Sequence, residues 1–171
     1  MDNIKLKQNT VKPILLIAGE GGHLEQARRF FELNKQLDNT NFLIVTDEQM
    51  KNVNLTCEVV RKNNISSYTK QRSAINLVIF FFYFILEFIS ALFLIIKVRP
   101  SGVVAFGPIF CLPYIVWARI LGLKTVYIET WSKFYEPSIT AKICQKLVHR
   151  IYIQNTSLKE RLSKGIYGGK L

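Results

Sequence analysis

Apolar residues along this chain recur in two periods. Short β-branched runs stand at 14–18 (ILLIA), 42–46 (FLIVT), 56–60 (TCEVV), 103–106 (VVAF), 125–129 (TVYIE) and 150–154 (RIYIQ). Between several of them lie stretches of helical spacing, at 24–37, 74–98, 109–121 and 137–148. Strands alternating with helices at this interval predict βαβ units and a Rossmann-like α/β fold, a parallel sheet with helices on both faces. The runs 14–18 and 103–106 are almost wholly apolar, as strands covered on both sides should be. "RPSG" (99–102) and "LGLK" (121–124) supply helix stops and turns. A last short helix is expected over 156–164, with Thr156 as N-cap, before the closing "YGGKL". No repeat or low-complexity linker interrupts the pattern. Residues 1–171 therefore read as one domain, with 1–12 a polar tail.

One segment breaks the rhythm. Residues 77–96, "LVIFFFYFILEFISALFLII", carry a single charge, Glu87, and meet the length rule for a membrane span. A crossing would strand the runs at 14–60 and 103–154 on opposite sides of a bilayer, where they could not pair. Basic residues flank both ends (Lys70 and Arg72; Lys97 and Arg99), so charge gives no orientation. Asn76, Tyr83, Glu87, Ser90 and Lys97 step by helical intervals and fall on one narrow stripe. The favoured reading is a helix lying in the cytosolic face of the membrane; a buried core helix and a true span or bent hairpin remain open.

Charge narrows the partners. The 23 Lys and Arg against 12 Asp and Glu leave a net charge of +11, which points to an anionic surface or substrate. No dense basic run or nucleic-acid reader motif occurs, so nucleic acid is not an expected partner. Cys57, Cys111 and Cys144 are scattered and form no CxxC, which suits buried thiols in a reducing compartment and no metal. The start, "MDNIKLKQNTVK", lacks an apolar signal-peptide core, so export by that route is not expected.

The chemistry-bearing residues gather after strands, where open parallel sheets bind ligands. Gly19, Gly21, Gly22 and His23 follow the first run, and "GEGGHLEQ" (19–26) opens a helix. Backbone amides there can cradle an anion, or the glycines can serve only a tight turn. His23 can act as a base near neutral pH, donate to a phosphate, or merely cap the helix. Gly107 and Pro108 follow the fourth run and allow close backbone approach. Glu129 can bind a sugar hydroxyl, orient His23, act as a base, or cap a structural turn. Trp131, Phe134 and Tyr135 are packing residues, a sugar platform or lipid contacts.

"GEGGHLEQ", "AFGPIFCLPYIVWARILGLKTVYIET", "EPSITAKICQKLVHRIYIQ" and "YGG" together resemble the PssD/CpsF family of bacterial polysaccharide biosynthesis proteins. That family is related to the membrane-anchor subunit of the eukaryotic second-step N-acetylglucosaminyltransferase of asparagine-linked glycosylation. More distantly, it is similar to the N-terminal, acceptor-binding half of MurG-like GT-B glycosyltransferases. The resemblance implies an acceptor-binding subunit, inactive alone, that works with a small donor-binding partner of PssE/CpsG type. The pair would move galactose or N-acetylglucosamine from a UDP-sugar to an undecaprenyl-diphosphate-linked saccharide in capsule or exopolysaccharide assembly. The alternative is a scaffold that only recruits the catalytic subunit. No cofactor is implied, and the place of work is the cytoplasmic membrane surface. By position, His23 and Glu129 would be catalytic. Gly19, Gly21, Gly22, Gly107, Pro108, Thr130, Lys133, Ser138 and Gln154 would hold the acceptor or its phosphates. Glu20 replaces a usual small Ser, Lys133 a common Arg, and His149–Arg150 an Ala-Asp pair.

Overall fold

The computed structural model describes residues 11–36, 40–47, 58–62 and 74–171; most of the tail, Cys57, Lys70 and Arg72 lie outside them. The described strands are β1 (Ile14–Ala18), β2 (Phe42–Thr46), β3 (Glu58–Arg61), β4 (Gly102–Phe106), β5 (Lys124–Ile128), β6 (Arg150–Ile153) and β7 (Gly165–Tyr167). They form one parallel sheet in the order β3-β2-β1-β4-β5-β6-β7. The helices are α1 (Gly22–Asn34), α2 (Ala74–Val98), α3 (Leu112–Ile120) and α4 (Ile139–Leu147), with 3₁₀ turns at Ile109–Cys111 and Thr156–Glu160.

Alternate residues of the central strands sort into two cores, as the pleat requires. Leu15, Ile17, Leu43, Val45, Val103 and Ala105 pack under α2, α3 and α4. Leu16, Ala18, Ile44, Val104 and Phe106 pack under α1. The expected Rossmann-like sheet with helices on both faces is thus the observed one.

Two expectations at the end of the chain need correction. The stretch after β6 is a single 3₁₀ turn rather than a helix over 156–164, and Asn155, not Thr156, caps it. The chain then turns at Leu162, whose carbonyl accepts from Gly165 N, and pairs along β6 as β7. Three residues led by a glycine are too few for alternation to announce a strand.

The long apolar helix is continuous, and the middle of its polar stripe, Glu87 and Ser90, faces inward while Lys97 at its end is exposed. Glu87 is buried and accepts from the Tyr114 hydroxyl of α3, Ser90 accepts from Lys62, and Trp117 Nε1 donates to the Phe88 carbonyl at 2.8 Å. Ala91, Leu94, Ile95 and Val98 join the core. The outer face bears Ile75, Val78, Phe82, Ile85, Ile89, Phe93 and Ile96, all at least half exposed. Polar inside and apolar outside is the inverse of a water-facing helix. Although α2 is long and apolar enough to cross a membrane, β1 on one side of it in sequence hydrogen-bonds β4 on the other. The two flanks therefore share one sheet and cannot lie across a bilayer. At about 1.5 Å per residue, its 25 residues outrun the five-residue strands. Since α2 ends at Val98 and β4 begins at Gly102, the surplus overhangs the carboxyl edge.

Candidate functional site

The strand order reverses between β1 and β4, because β1 leads to β2 on one side and β4 leads to β5 on the other. Loops leaving the carboxyl ends of two such strands diverge to opposite faces and open a crevice between them. The β1 loop carries Gly19–His23; the β4 loop carries Gly107 and Pro108.

These residues meet closely. A Cβ on Gly19 would lie 2.4 Å from Cγ of Pro108, and one on Gly107 would lie 2.1 Å from His23 Nδ1 and 2.3 Å from its Cγ. The His23 ring therefore rests on the bare backbone of Gly107, which has φ +96°. Only glycine supplies both the space and that conformation readily. His23 is largely buried; its Nδ1 is enclosed and has no hydrogen-bond partner. Burial alone lowers the imidazole from its ordinary pKa, so the ring is neutral at pH 7.

Gly21 (φ +64°, ψ −124°) caps α1 without a side-chain hydrogen bond, and a Cβ on Gly21 or Gly22 would meet nothing within 4 Å. The start of α1 thus lies beside the ring with room around its two glycines.

Glu129 sits on the same rim but behind it, fully buried. Its Oε1 accepts from Thr130 N at 2.8 Å; its Oε2 accepts from Ser138 N at 3.0 Å and Ser138 Oγ at 2.7 Å. Ser138 Oγ in turn caps α4 by accepting from Ala141 N at 3.0 Å. The carboxylate bridges the two ends of the 129–138 loop and makes no contact with His23. Thr130 and Gln154 are buried too, joined through Gln26 of α1. Gln26 Nε2 donates to Thr130 Oγ1 at 3.0 Å, and Gln154 Nε2 donates to Gln26 Oε1 and to the Glu129 carbonyl, each at 2.9 Å. Lys133 is exposed on the loop, while its carbonyl and that of Trp131 are held by Asn155 Nδ2. Arg29 of α1 lies over the Trp131 ring at 4.9 Å.

Of the expected site residues, Gly19, His23, Gly107 and Pro108 come together, with Gly21 and Gly22 at the mouth. Glu129, Thr130, Ser138 and Gln154 lie in one hydrogen-bonded network with Gln26. Gln26, Asn155 and Tyr127 were missed. Gln26 alone left a trace, as a polar residue in the apolar stripe of Leu24, Ala27 and Phe31. Among the described residues, no group of three or more His, Cys, Asp or Glu is gathered as a metal would require.

Residues 14–171 match the family described as "Oligosaccharide biosynthesis protein Alg14 like". The chain belongs to the Alg14-like family. It is 25% identical to the mouse (Mus musculus) UDP-N-acetylglucosamine transferase subunit ALG14, over 92% of this chain and 82% of that protein. It is also 26% identical to the UDP-N-acetylglucosamine–N-acetylmuramyl-(pentapeptide) pyrophosphoryl-undecaprenol N-acetylglucosamine transferase of Elusimicrobium minutum, over 81% of this chain but 38% of that enzyme. Its fold matches Acinetobacter baumannii MurG with a TM-score of 0.64 and 17% identity, covering 93% of this chain and 44% of that one. An Alg14-like chain thus spans less than half of the MurG structure whose fold it shares.

Proposed function

We propose that this Alg14-like chain is the acceptor-binding subunit of a two-component inverting glycosyltransferase, active only with a small donor-binding partner of PssE/CpsG type. The substrates are a UDP-sugar, carrying galactose or N-acetylglucosamine, and an undecaprenyl-diphosphate-linked saccharide of capsule or exopolysaccharide assembly. The observation that carries this reading is the neutral His23, seated on Gly107 at the N-terminal end of α1 and at the sheet's switch point. The first amides of α1 suit a diphosphate, and the imidazole is placed to take a proton from an attacking hydroxyl as it bonds to the anomeric carbon. Glu129 is a positioning residue, since its oxygens are committed to the 129–138 loop. Support also comes from the relatives: two are a UDP-N-acetylglucosamine transferase subunit and a whole transferase of which this chain covers a part.

His23→Ala in the reconstituted pair is expected to lower transfer by roughly 10²–10⁴-fold while leaving recruitment of the partner intact. Unchanged transfer would leave the scaffold reading standing. The pH dependence follows from the sign of the shift. The folded imidazole sits below its ordinary value, so the neutral base persists as pH falls through about 6.5, and the acid limb of kcat/KM lies lower still. The same shift contributes stability that is fully present above about 6.5 and is lost as pH falls through the folded value.

The outer face of α2 is read as lying in the cytoplasmic leaflet, with basic residues meeting anionic head groups. Replacing Phe81, Phe82, Ile85 and Ile89, each at least half exposed, by serine removes at least about 1.5 kcal/mol each. Sedimentation with anionic vesicles is expected to weaken by roughly ten-thousandfold. Undiminished sedimentation would move the membrane contact elsewhere.

A further inference from the structure

We propose that Tyr127, through the Gly107 peptide, is the positioning residue that sets the seat of His23; this rests on the reading of His23 given above. Tyr127 is the penultimate residue of β5, paired in register with Ala105 of β4, and is fully buried. From there its hydroxyl donates to the Gly107 carbonyl at 2.7 Å. Gly107 is the floor under the imidazole; Pro108 fixes one side of its carbonyl peptide at φ −75°, so the freedom left lies in the torsions of Gly107 itself, at φ +96°. Rotation would tilt or withdraw that floor, and the Tyr127 hydrogen bond opposes it.

The hydroxyl has a second neighbour. It lies 3.3 Å from Ser138 Oγ, whose own proton goes to Glu129 Oε2. With both hydroxyl protons spent elsewhere, a buried line of contacts, not a continuous hydrogen-bond chain, runs from Glu129 through Ser138, Tyr127 and Gly107 to His23. It ties the imidazole to the 129–138 loop, whose Phe134 and Tyr135 are exposed on the rim. Burial also pushes the Tyr127 phenol well above its ordinary range, so it remains a donor at any working pH. In an apolar core a phenylalanine would fill this place without a buried hydroxyl to satisfy. The oxygen therefore serves the one carbonyl it reaches.

Tyr127→Phe in the full chain, held in lipid nanodiscs, isolates that oxygen. The readout is the NMR titration of the His23 ring carbon-bound protons. His149, bonded to Arg119 and Thr125 on the opposite edge of the sheet, is the internal reference. The expected result is a His23 midpoint displaced toward the ordinary imidazole value, with His149 unmoved and the thermal midpoint within a few degrees of the parent. An unchanged His23 titration would overturn the proposal, as would equal displacement of both histidines. If the variant does not fold, 3-fluorotyrosine at position 127 keeps the shape and changes the donor. A His23-specific shift then supports the coupling, and no shift sinks it. Neither measurement needs partner or sugar donor. The coupling can therefore fail while His23-dependent transfer stands, and transfer indifferent to His23→Ala would refute the functional reading without touching the coupling.

Discussion

Glu129→Ala is expected to unfold this chain at temperatures where the parent is intact. The carboxylate receives Thr130 N, Ser138 N and Ser138 Oγ, and it is fully buried. Hydrogen bonds to a charged acceptor contribute about 1.5–3 kcal/mol each, and their loss leaves buried donors without partners. A loss of roughly 3–5 kcal/mol is a large part of a typical 5–15 kcal/mol. The thermal midpoint should fall by about 10 °C or more, as seen by circular dichroism. Glu129→Gln separates positioning from chemistry. The amide keeps one acceptor oxygen but sets an NH₂ group against the Ser138 donors, so stability should drop by about 1–2 kcal/mol. If Glu129 instead served as the base, that variant would lose transfer by orders of magnitude with its melting curve hardly moved.

Gly107→Ala is expected to damage both fold and site. The added Cβ would lie 2.1 Å from Nδ1, 2.3 Å from Cγ and 2.4 Å from Cε1 of His23, so the ring must leave its seat. The φ of +96° adds backbone strain of order 1–3 kcal/mol, and overpacking adds a comparable amount. Transfer should fall at least as far as in His23→Ala, with a melting transition lowered as well. Gly22→Ala is the control, since a Cβ there meets open space within α1. It should hold or slightly raise stability, by about 0.4–1 kcal/mol. If an acceptor diphosphate approaches those amides, the same change still weakens acceptor KM. Gly107→Ala with His23 function and stability both intact would show that the ring does not depend on that floor.

Periodicity made much of the fold legible. The helix expected over 74–98 is α2, residue for residue, because twenty residues with a single charge between charged flanks leave little room for its ends to move. The runs at 14–18 and 42–46 are β1 and β2 as expected, and the later strand boundaries shifted by a residue or two. That shift put Glu129 just past Ile128, the last residue of β5, where a side chain can turn back into the protein as easily as outward. Its position at a strand end suggested ligand contact; three donors from its own loop took it instead. Tyr127 gave no signal, since a tyrosine in a strand is ordinary on propensity grounds. The polar stripe of α2 was readable, but its direction was not. Periodicity separates two faces of a helix without saying which neighbour each will meet.

By itself, then, the sequence determined the layered α/β plan, the glycines and histidine placed after the first strand, and the presence of one long apolar helix. These follow from local spacing, which the backbone's two repeat lengths translate directly into faces. Only the tertiary structure decided that β1 and β4 are neighbours, so that His23 meets Gly107 across 84 positions of chain. It also decided that the Glu129 carboxylate is buried against its own loop, and that Glu87 of α2 meets Tyr114 of α3. Each of those outcomes depends on which distant groups compete for the same donors and the same volume, and spacing along a chain carries no record of that competition.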